Sequence, residues 1–187
     1  MGPEPYERSF FEQPVDVVAR ELIGSNLTIR DGDSVLEARL IETEAYGGLD
    51  DPASHAFRGP TPRSAIMFGP PGFLYVYRSY GIHWCMNVVT QEAGSASAVL
   101  LRAAYVRHAA LFNLRAAVET AVVRGPGNLT RAAGITGADN GTDCCEAGGR
   151  IRFTRPERGE SFDVSRSTRV GLSRAQERMS RYFLNEA

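Results

Sequence analysis

The sequence SVLEARLIETEAY, residues 34–46, is the stretch that decides the fold. Apolar and polar residues alternate along it, which is typical of a half-buried β-strand. A second β-rich run, residues 26–30, comes before it, and the two are separated by the turn triplet Asp31-Gly32-Asp33. Residues 26–46 therefore predict an antiparallel hairpin.

Two glutamates lie in this strand at positions that favour a chemical role. Residues two apart share a face of a strand, so a row that begins at Leu36 is predicted to face the core. That row contains, in order, Leu36, Ala38, Leu40, Glu42, Glu44 and Tyr46. A carboxylate at the inner end of a strand is a candidate general base. The alternative, which stays open here, is that a bulge or the strand end turns both glutamates into solvent.

The segments on either side of this hairpin indicate the fold class. Residues 47–72 are rich in Pro and Gly and predict a long irregular segment of the functional kind. Residues 1–12 are expected to be an irregular leader. We expect helices over residues 14–23, 109–123 and 126–134, and further strands over residues 73–78, 82–91, 96–106, 150–154 and 169–172. Because hairpins and not helices join most strands, the chain predicts one α+β domain with a largely antiparallel sheet.

The hairpin around Ser79-Tyr80-Gly81 carries a cluster of tyrosines. Tyr75 and Tyr77 share a strand face, and core packing is their ordinary role. Tyr80 lies on the turn itself, where its own hairpin cannot bury it. An exposed aromatic tip indicates contact with a partner, either a protein or stacked bases.

Composition limits the chemistry. The 187 residues contain 21 basic and 22 acidic side chains, for a net charge of -1, so the charge of the whole molecule does not indicate nucleic-acid or membrane binding. None of the basic residues is lysine. A lysine Schiff base, a phosphate-loop lysine and pyridoxal phosphate chemistry on a lysine are therefore excluded.

The cysteines and histidines predict neither disulfides nor a metal site. Cys85, Cys144 and Cys145 are an odd number and lack a CxxC spacing. The three histidines, at positions 55, 83 and 108, have no spacing that is typical of metal ligands. We expect no metal and no cofactor. With no apolar signal segment, the expected location is the reducing cytoplasm.

Residues 41–90 closely resemble the 3-methyladenine (alkyladenine) DNA glycosylase family. The resemblance depends on ETEAY, a histidine nine residues after its tyrosine, and then TPR, MF, YVY, YG and CMN in that order. It continues through AVLLRA, GPGNLTRAAGI and TRVGLS at residues 98–103, 125–135 and 168–173. The resemblance implies a curved sheet with flanking helices and a protruding β-hairpin.

The resemblance also implies roles for single residues. Glu44 matches the general base that activates water, and Arg102 matches an arginine near that water and the DNA backbone. Tyr46 and His55 match residues that line the pocket for a flipped base, and Tyr77 matches the other stacking wall.

Further matching positions concern the DNA. Tyr80 matches the side chain that wedges into the duplex, and Asn87 matches a residue that screens bases by crowding an exocyclic amine. Arginines near these blocks could contact phosphates, although most of the arginines are expected to be ordinary surface charges. The arginines that flank the candidate site are Arg58, Arg63, Arg78 and Arg107.

The sequence therefore predicts a monofunctional DNA glycosylase that removes alkylated or otherwise damaged purines and leaves an abasic site. Double-stranded DNA is the expected partner, with no membrane and no obligate protein partner. Two alternatives stay open. One is a non-catalytic nucleic-acid-binding module of the same fold. The other is a hydrolase of a free nucleoside or glycan that uses Glu42 and Glu44 as an acid pair, since strand residues two apart are separated by about 7 Å.

Overall fold

Nine strands form a curled antiparallel sheet in the computed structural model, which describes residues 4–110 and 121–185. In chain order the strands are β1 (Asn26–Asp31), β2 (Ser34–Tyr46), β3 (Leu74–Ser79), β4 (His83–Thr90), β5 (Ser97–Ala110), β6 (Ala121–Arg124), β7 (Ile151–Thr154), β8 (Val164–Ser167) and β9 (Arg181–Leu184). The helices are α1 (Arg8–Phe11), α2 (Val15–Glu21) and α3 (Pro126–Ala132). Single 3₁₀ turns occupy Ala65–Phe68 and Gly137–Asp139. The α+β class, the antiparallel sheet and its curvature are confirmed.

The two long strands β2 and β5 pair with each other and form the centre of the sheet. Each of them changes its other neighbour about halfway along its length. The first half of β2 pairs with β1, whereas Glu42–Glu44 pair with β9. The first half of β5 pairs with β4, and Ala103–Val106 pair with β6. The outer strands therefore form two groups, and these groups pair with different halves of β2 and β5.

The pairing of β2 with β5 is irregular where their neighbouring strands change, and this irregularity changes which side chains face the core. The register of β2 against β5 shifts on both sides of Glu42, so that Ile41 and Arg102 are extra residues in their strands. Such bulges bend a strand and redirect its side chains. Leu40 lies in the core before the shift, and after it Ala45 lies there. The Thr43 hydroxyl also points that way and donates to the carbonyl oxygen of Ala19 at 2.7 Å.

The expectation that Glu42, Glu44 and Tyr46 continue the core-facing row of Leu36 and Leu40 is therefore wrong. The bulge places these three residues on the face of the sheet opposite the core. They are nevertheless shielded from solvent, because the loop after β2 and the C-terminal segment cover that face. Glu44 is fully buried, and Glu42 is 7% exposed.

The main hydrophobic core lies between the helices and the face of the sheet that carries Leu36 and Leu40. Phe11, Val18 and Leu22 are fully buried there against strand residues such as Leu27 and Phe153. The expectation of an irregular leader over residues 1–12 is wrong in part, because Arg8–Phe11 form a short helix with two buried phenylalanines. The burial of those rings supplies the stabilisation that a four-residue helix lacks on its own.

Two further expectations were wrong in detail. The helix predicted for residues 109–123 is contradicted at both ends, because Ala109 and Ala110 extend β5 and residues 121–123 belong to β6; residues 111–120 lie outside the described residues. Pairing of β5 with β2 overrides the local helical spacing. The strand predicted at residues 169–172 is an irregular segment, in which Gly171 takes a φ of 73°. The strands of this region are β8 and β9 instead.

Within the described part of the chain, no helix is both long and apolar enough to cross a bilayer.

Candidate active site

On the face of the sheet opposite the core, a row of paired residues crosses four strands. Glu44 on β2 pairs with Leu100 on β5, Leu100 pairs with Asn87 on β4, and Asn87 pairs with Tyr75 on β3. Neighbouring strands are about 4.8 Å apart, so this row spans about 14 Å. The sheet register thus brings residues from three separate sequence blocks onto one face of the sheet, and we call the region that they line the hollow.

Glu44 is the buried carboxylate of this hollow and accepts hydrogen bonds from three donors. Its Oε1 accepts from the backbone N–H of Val170 at 2.7 Å. Its Oε2 accepts from the Tyr46 hydroxyl at 2.9 Å and from an Nη of Arg102 at 3.3 Å. Three donors of different origin fix the orientation of the carboxylate.

Arg102 connects Glu44 to Glu42. Its Nε donates to Oε1 of Glu42 at 2.7 Å, and Arg181 donates to the same oxygen at 2.7 Å. Burial alone would raise the pKa of Glu42, but the hydrogen bonds from Arg181 and Arg102 outweigh it and lower that pKa below its ordinary value. Glu42 is therefore ionised at neutral pH and has no proton to donate.

A cluster of aromatic rings lies at the other end of the row from Glu44. The ring centroids of His55 and Tyr77 are 4.5 Å apart at an interplanar angle of 88°, and those of Tyr75 and Tyr77 are 5.5 Å apart. Nδ1 of His55 and the Tyr75 hydroxyl share a hydrogen bond of 2.9 Å. Among the described residues, Tyr46 makes no ring contact with His55 or Tyr77. Tyr46 thus lies on the carboxylate side, apart from the other rings.

The titration behaviour of these rings follows from their surroundings. Partial desolvation of the His55 ring against Tyr75 and Tyr77, together with the positive charge of Arg63, lowers the pKa of His55 to about 4, although the residue as a whole is exposed to solvent. His55 is therefore neutral at pH 7. Burial is also the main cause that raises the pKa of Tyr46 and of Tyr77 well above the ordinary value. Both phenols keep their protons at neutral pH.

Asn87 lies in the middle of the row, between Leu100 and Tyr75. It is buried, and its side-chain amide donates to the carbonyl oxygen of Tyr75 at 3.0 Å. This bond holds the Asn87 side chain against the strand that carries Tyr75 and Tyr77.

The tip of the β3–β4 hairpin projects away from the sheet. Tyr80 is 93% exposed with a φ of 50°, and Ile82 is 68% exposed. At the base of the hairpin, Arg63 lies over the Tyr77 ring at 4.9 Å and donates to the carbonyl oxygen of Arg78 at 3.3 Å. Arg78 lies over the Trp84 ring at 5.3 Å. Arg63 and Arg78 therefore place positive charge beside an apolar tip, while Arg58 is exposed on the loop after β2 and Arg107 lies within β5.

The loop after β2 begins with residues that pack closely against another part of the backbone. A Cβ on Gly48 would lie 1.9 Å from the carbonyl oxygen of Ser95, so only glycine fits at this position. Three residues later, Asp51 is fully buried and forms a salt bridge with Arg169. The guanidinium of Arg169 lies 4.6 Å from the centroid of the Tyr46 ring.

Sequence reasoning did not identify Asp51, Arg169, Val170 or Arg181 as site residues. Arg169 and Val170 lie in the block TRVGLS, which carries part of the family resemblance, so that block was the available signal. Asp51 and Arg181 have no local motif that distinguishes them from surface charges.

No group of three or more His, Cys, Asp or Glu side chains in the described ranges is arranged to hold a metal ion.

Comparison with known proteins gives a consistent result. The profile of a family described as methylpurine-DNA glycosylase matches residues 9–187. A protein of Frankia casuarinae named "Putative 3-methyladenine DNA glycosylase" is 47% identical, over 98% of this chain and 90% of its own length. Proteins with the same name from Rhodopseudomonas palustris (strain BisB18) and Mycolicibacterium fortuitum are each 46% identical, over 98% and 91% of this chain and over 88% and 89% of their own lengths.

Proposed function

The chain belongs to the methylpurine-DNA glycosylase family, and from this premise we propose that it removes alkylated purines from double-stranded DNA. The damaged nucleotide is rotated out of the duplex, and water cleaves its N-glycosidic bond to leave an abasic site. The reaction takes place in the cytoplasm with the DNA and needs no further protein subunit.

The observation that carries this proposal is the position of Glu44. It is a fully buried carboxylate on the same sheet face as Tyr75 and Asn87, and its three donors hold it in one orientation. A carboxylate beside the anomeric carbon can accept a proton from water and stabilise the positive charge that develops on the sugar. An alkylated purine already carries positive charge and leaves as a neutral molecule, so one carboxylate is sufficient.

The aromatic wall supports a preference for cationic bases. Each contact between a cation and a tyrosine face contributes about 0.5–2 kcal/mol. Since His55 is neutral at pH 7, it does not repel a positively charged base. Tyr46 and Tyr77 supply the ring faces from two sides of the hollow. Asn87, between them in the sheet, is the proposed contact that disfavours normal purines.

The hairpin supports base flipping. Extruding a nucleotide costs a few kcal/mol, and a side chain that fills the gap in the stack offsets this cost. Tyr80 is suited to this role, because it is almost entirely exposed at the tip. Arg63 and Arg78 at the base of the same hairpin are placed to contact phosphates, with exposed Arg58 as a further candidate.

The absence of lysine from the sequence supports a monofunctional enzyme. A bifunctional glycosylase and lyase forms an imine between an amine and C1′ of the sugar. No lysine amine exists for that step, so the expected product is an intact strand with an abasic site.

The two alternatives are less well supported. A two-acid hydrolase needs one protonated carboxyl group, and the lowered pKa of Glu42 opposes this. A non-catalytic binding module has no use for a carboxylate that three donors orient inside a pocket.

The test uses duplex oligonucleotides with one 7-methylguanine each, and measures free base and alkali-labile sites. We expect wild-type protein to release the base without strand nicking. Glu44→Gln should lower the rate by about 10²–10⁴-fold, the usual contribution of a general base, while binding to the damaged duplex persists. Unchanged turnover in Glu44→Gln would contradict the assignment. Release from a free nucleoside, unaffected by Tyr80→Ala, would favour the two-acid hydrolase.

A further inference from the structure

We propose that Arg169, paired with Asp51, is a positioning residue that holds two of the three hydrogen-bond donors on Glu44 in place. This inference rests on the proposed role of Glu44. The side chain of Arg169 is fully shielded from solvent, so it acts through Glu44 and Tyr46 and not on the DNA.

Arg169 and Asp51 form a buried pair in which both Nη atoms donate hydrogen bonds. One Nη of Arg169 donates to Oδ1 of Asp51 at 3.0 Å, and the other donates to Oδ2 of Asp51 and to the carbonyl oxygen of Ala45 at 3.0 Å. Asp51 also accepts from the backbone N–H groups of Gly47 and Ala53. A buried charge is costly unless it is paired, so the contacts of both Nη atoms hold Arg169 in place, while its buried Nε has no hydrogen-bond partner among the described residues.

Arg169 is connected through the backbone to Oε1 of Glu44. The N–H that donates to Oε1 belongs to Val170, the next residue in the chain. Residues 168–180 are irregular, so their backbone does not gain its position from sheet pairing. The Arg169 side chain, anchored to Asp51 and to the end of β2, therefore determines where the Val170 N–H lies.

Arg169 is also connected to Oε2 of Glu44. The Arg169 guanidinium packs over the Tyr46 ring at 4.6 Å, and the Tyr46 hydroxyl donates to Oε2 at 2.9 Å. The remaining donor, Arg102, is held separately by Glu42. Glu44 thus has two independent supports, one through Arg169 and one through Glu42.

The chemical consequence concerns the rate and not the affinity for DNA. If Val170 and Tyr46 shift, the carboxylate can rotate away from the position that activates water. A misplacement of about 1 Å in a catalytic group can reduce a rate by about 10²-fold. Because the Arg169 side chain is buried, DNA binding should change little.

The experiment compares Arg169→Lys, Asp51→Asn and Val170→Pro with wild type. Arg169→Lys keeps the charge but loses the planar fork, and Val170→Pro removes the N–H that donates to Glu44 while it also constrains the backbone at residues 169 and 170. The matched control is Arg150→Lys, which alters another salt bridge, the 2.8 Å pair of Arg150 and Asp139, with no contact to Glu44 or Tyr46. Rates are measured in single-turnover reactions, well below the melting temperature of every variant.

We expect the rate of base release to fall by about 10- to 100-fold in the three site variants, with the Kd for damaged duplex within about threefold of wild type. Arg150→Lys should keep its rate within about twofold, even where its melting temperature falls as far. Equal rate losses in the site variants and the control, or a loss confined to Kd, would overturn the inference. If Asp51→Asn fails to fold, the rate of Arg169→Lys, which keeps the charge, decides between these outcomes.

A second readout does not depend on activity. Hydrogen exchange of the Val170 amide, followed by NMR, should be slow in wild type and at least about tenfold faster in Arg169→Lys. Unchanged exchange would overturn the inference. Failure of the wild type to release base contradicts the proposed function instead, so the two failures are distinguishable.

Discussion

The Nε of Arg102 lies 2.7 Å from Oε1 of Glu42, at the point where β2 and β5 both contain an extra residue. The same guanidinium reaches Glu44 at 3.3 Å. The irregular pairing of the two central strands therefore brings one arginine and two carboxylates together on the face of the sheet opposite the core. Regular pairing of β2 with β5 would separate them. Glu42 neutralises and orients the arginine that contacts Glu44.

Substitution of Glu42 by Gln should therefore impair both stability and catalysis. It removes the carboxylate that accepts hydrogen bonds from Arg102 and Arg181. We expect the free energy of unfolding to fall by about 1–3 kcal/mol, the cost of leaving buried charged donors poorly paired. Base release should slow as Arg102 moves, although Glu44 remains. Urea denaturation and single-turnover assays measure the two effects.

The control for this prediction is Glu37→Gln on the same strand, because Glu37 is exposed. It should leave both quantities near their wild-type values. Wild-type activity and stability in Glu42→Gln would show that Arg102 does not depend on Glu42.

The pH dependence of His55 follows from its lowered pKa. In the folded protein the pKa is about 4, against about 6.5 for an unperturbed histidine. The unfolded chain therefore takes up this proton first as pH falls. The contribution of neutral His55 to stability is complete above about pH 6.5 and is lost as pH falls towards 4. An NMR titration of the His55 ring should give a midpoint near 4.

Arg63→Gln separates the two causes of this shift. Removing the nearby positive charge should raise the His55 midpoint, but not to 6.5, because burial of the ring is the larger cause. A wild-type midpoint of 6.5 or higher would show that contact with Tyr75 and Tyr77 does not desolvate the exposed His55 ring enough to shift its pKa.

The hairpin tip should matter for duplex DNA and not for folding. Tyr80 and Ile82 are both largely exposed, so replacing either by Ala should change the melting temperature little. We expect Tyr80→Ala to slow base release from duplex DNA by about tenfold or more, since nothing then fills the gap that flipping leaves. Ile82→Ala should have a smaller effect in the same direction.

Val17→Ala is the matched control for the tip, because it removes an exposed apolar side chain from α2. Its rate should equal that of wild type. An equal rate for Tyr80→Ala on duplex substrates would remove the proposed wedge.

Asn87→Ala should relax discrimination between damaged and normal purines. The side chain lies in the middle of the hollow and is held by its bond to Tyr75. Shortening it to a methyl group enlarges the space there, so normal purines should be released from undamaged DNA faster than by wild type. Free adenine and guanine measured by chromatography after long incubation give the result. A ratio of normal to damaged base release equal to that of wild type would exclude this role.

Part of the fold was predictable from local pattern. The turn at Asp31-Gly32-Asp33 and the strand at residues 34–46 follow from alternation and turn chemistry, which act over a few residues. Tyr80 was predictable as an exposed side chain because no short hairpin can cover its own tip. The helix predicted at residues 109–123 fails at both ends, because pairing of β5 with β2 outweighs a local helical period.

The orientation of Glu44 could not be predicted, although its identity could. Alternation places it on the core side, and the bulge at Ile41 reverses that side without any distinctive residue in the sequence. The partner of Asp51 was equally hidden, because Arg169 is 118 residues away along the chain.

By itself, the sequence determined which residue types are available: strands with tyrosines and glutamates two apart, a hairpin with an aromatic tip, and no amine on any side chain. These are properties of single residues and of near neighbours, and alternation and composition express them directly. Only the tertiary structure decided which glutamate becomes a buried, three-donor carboxylate and which becomes the counter-ion of Arg102 and Arg181. The reason is that a carboxylate gains its chemical role from donors and burial, and here distant strands and an irregular C-terminal segment supply both.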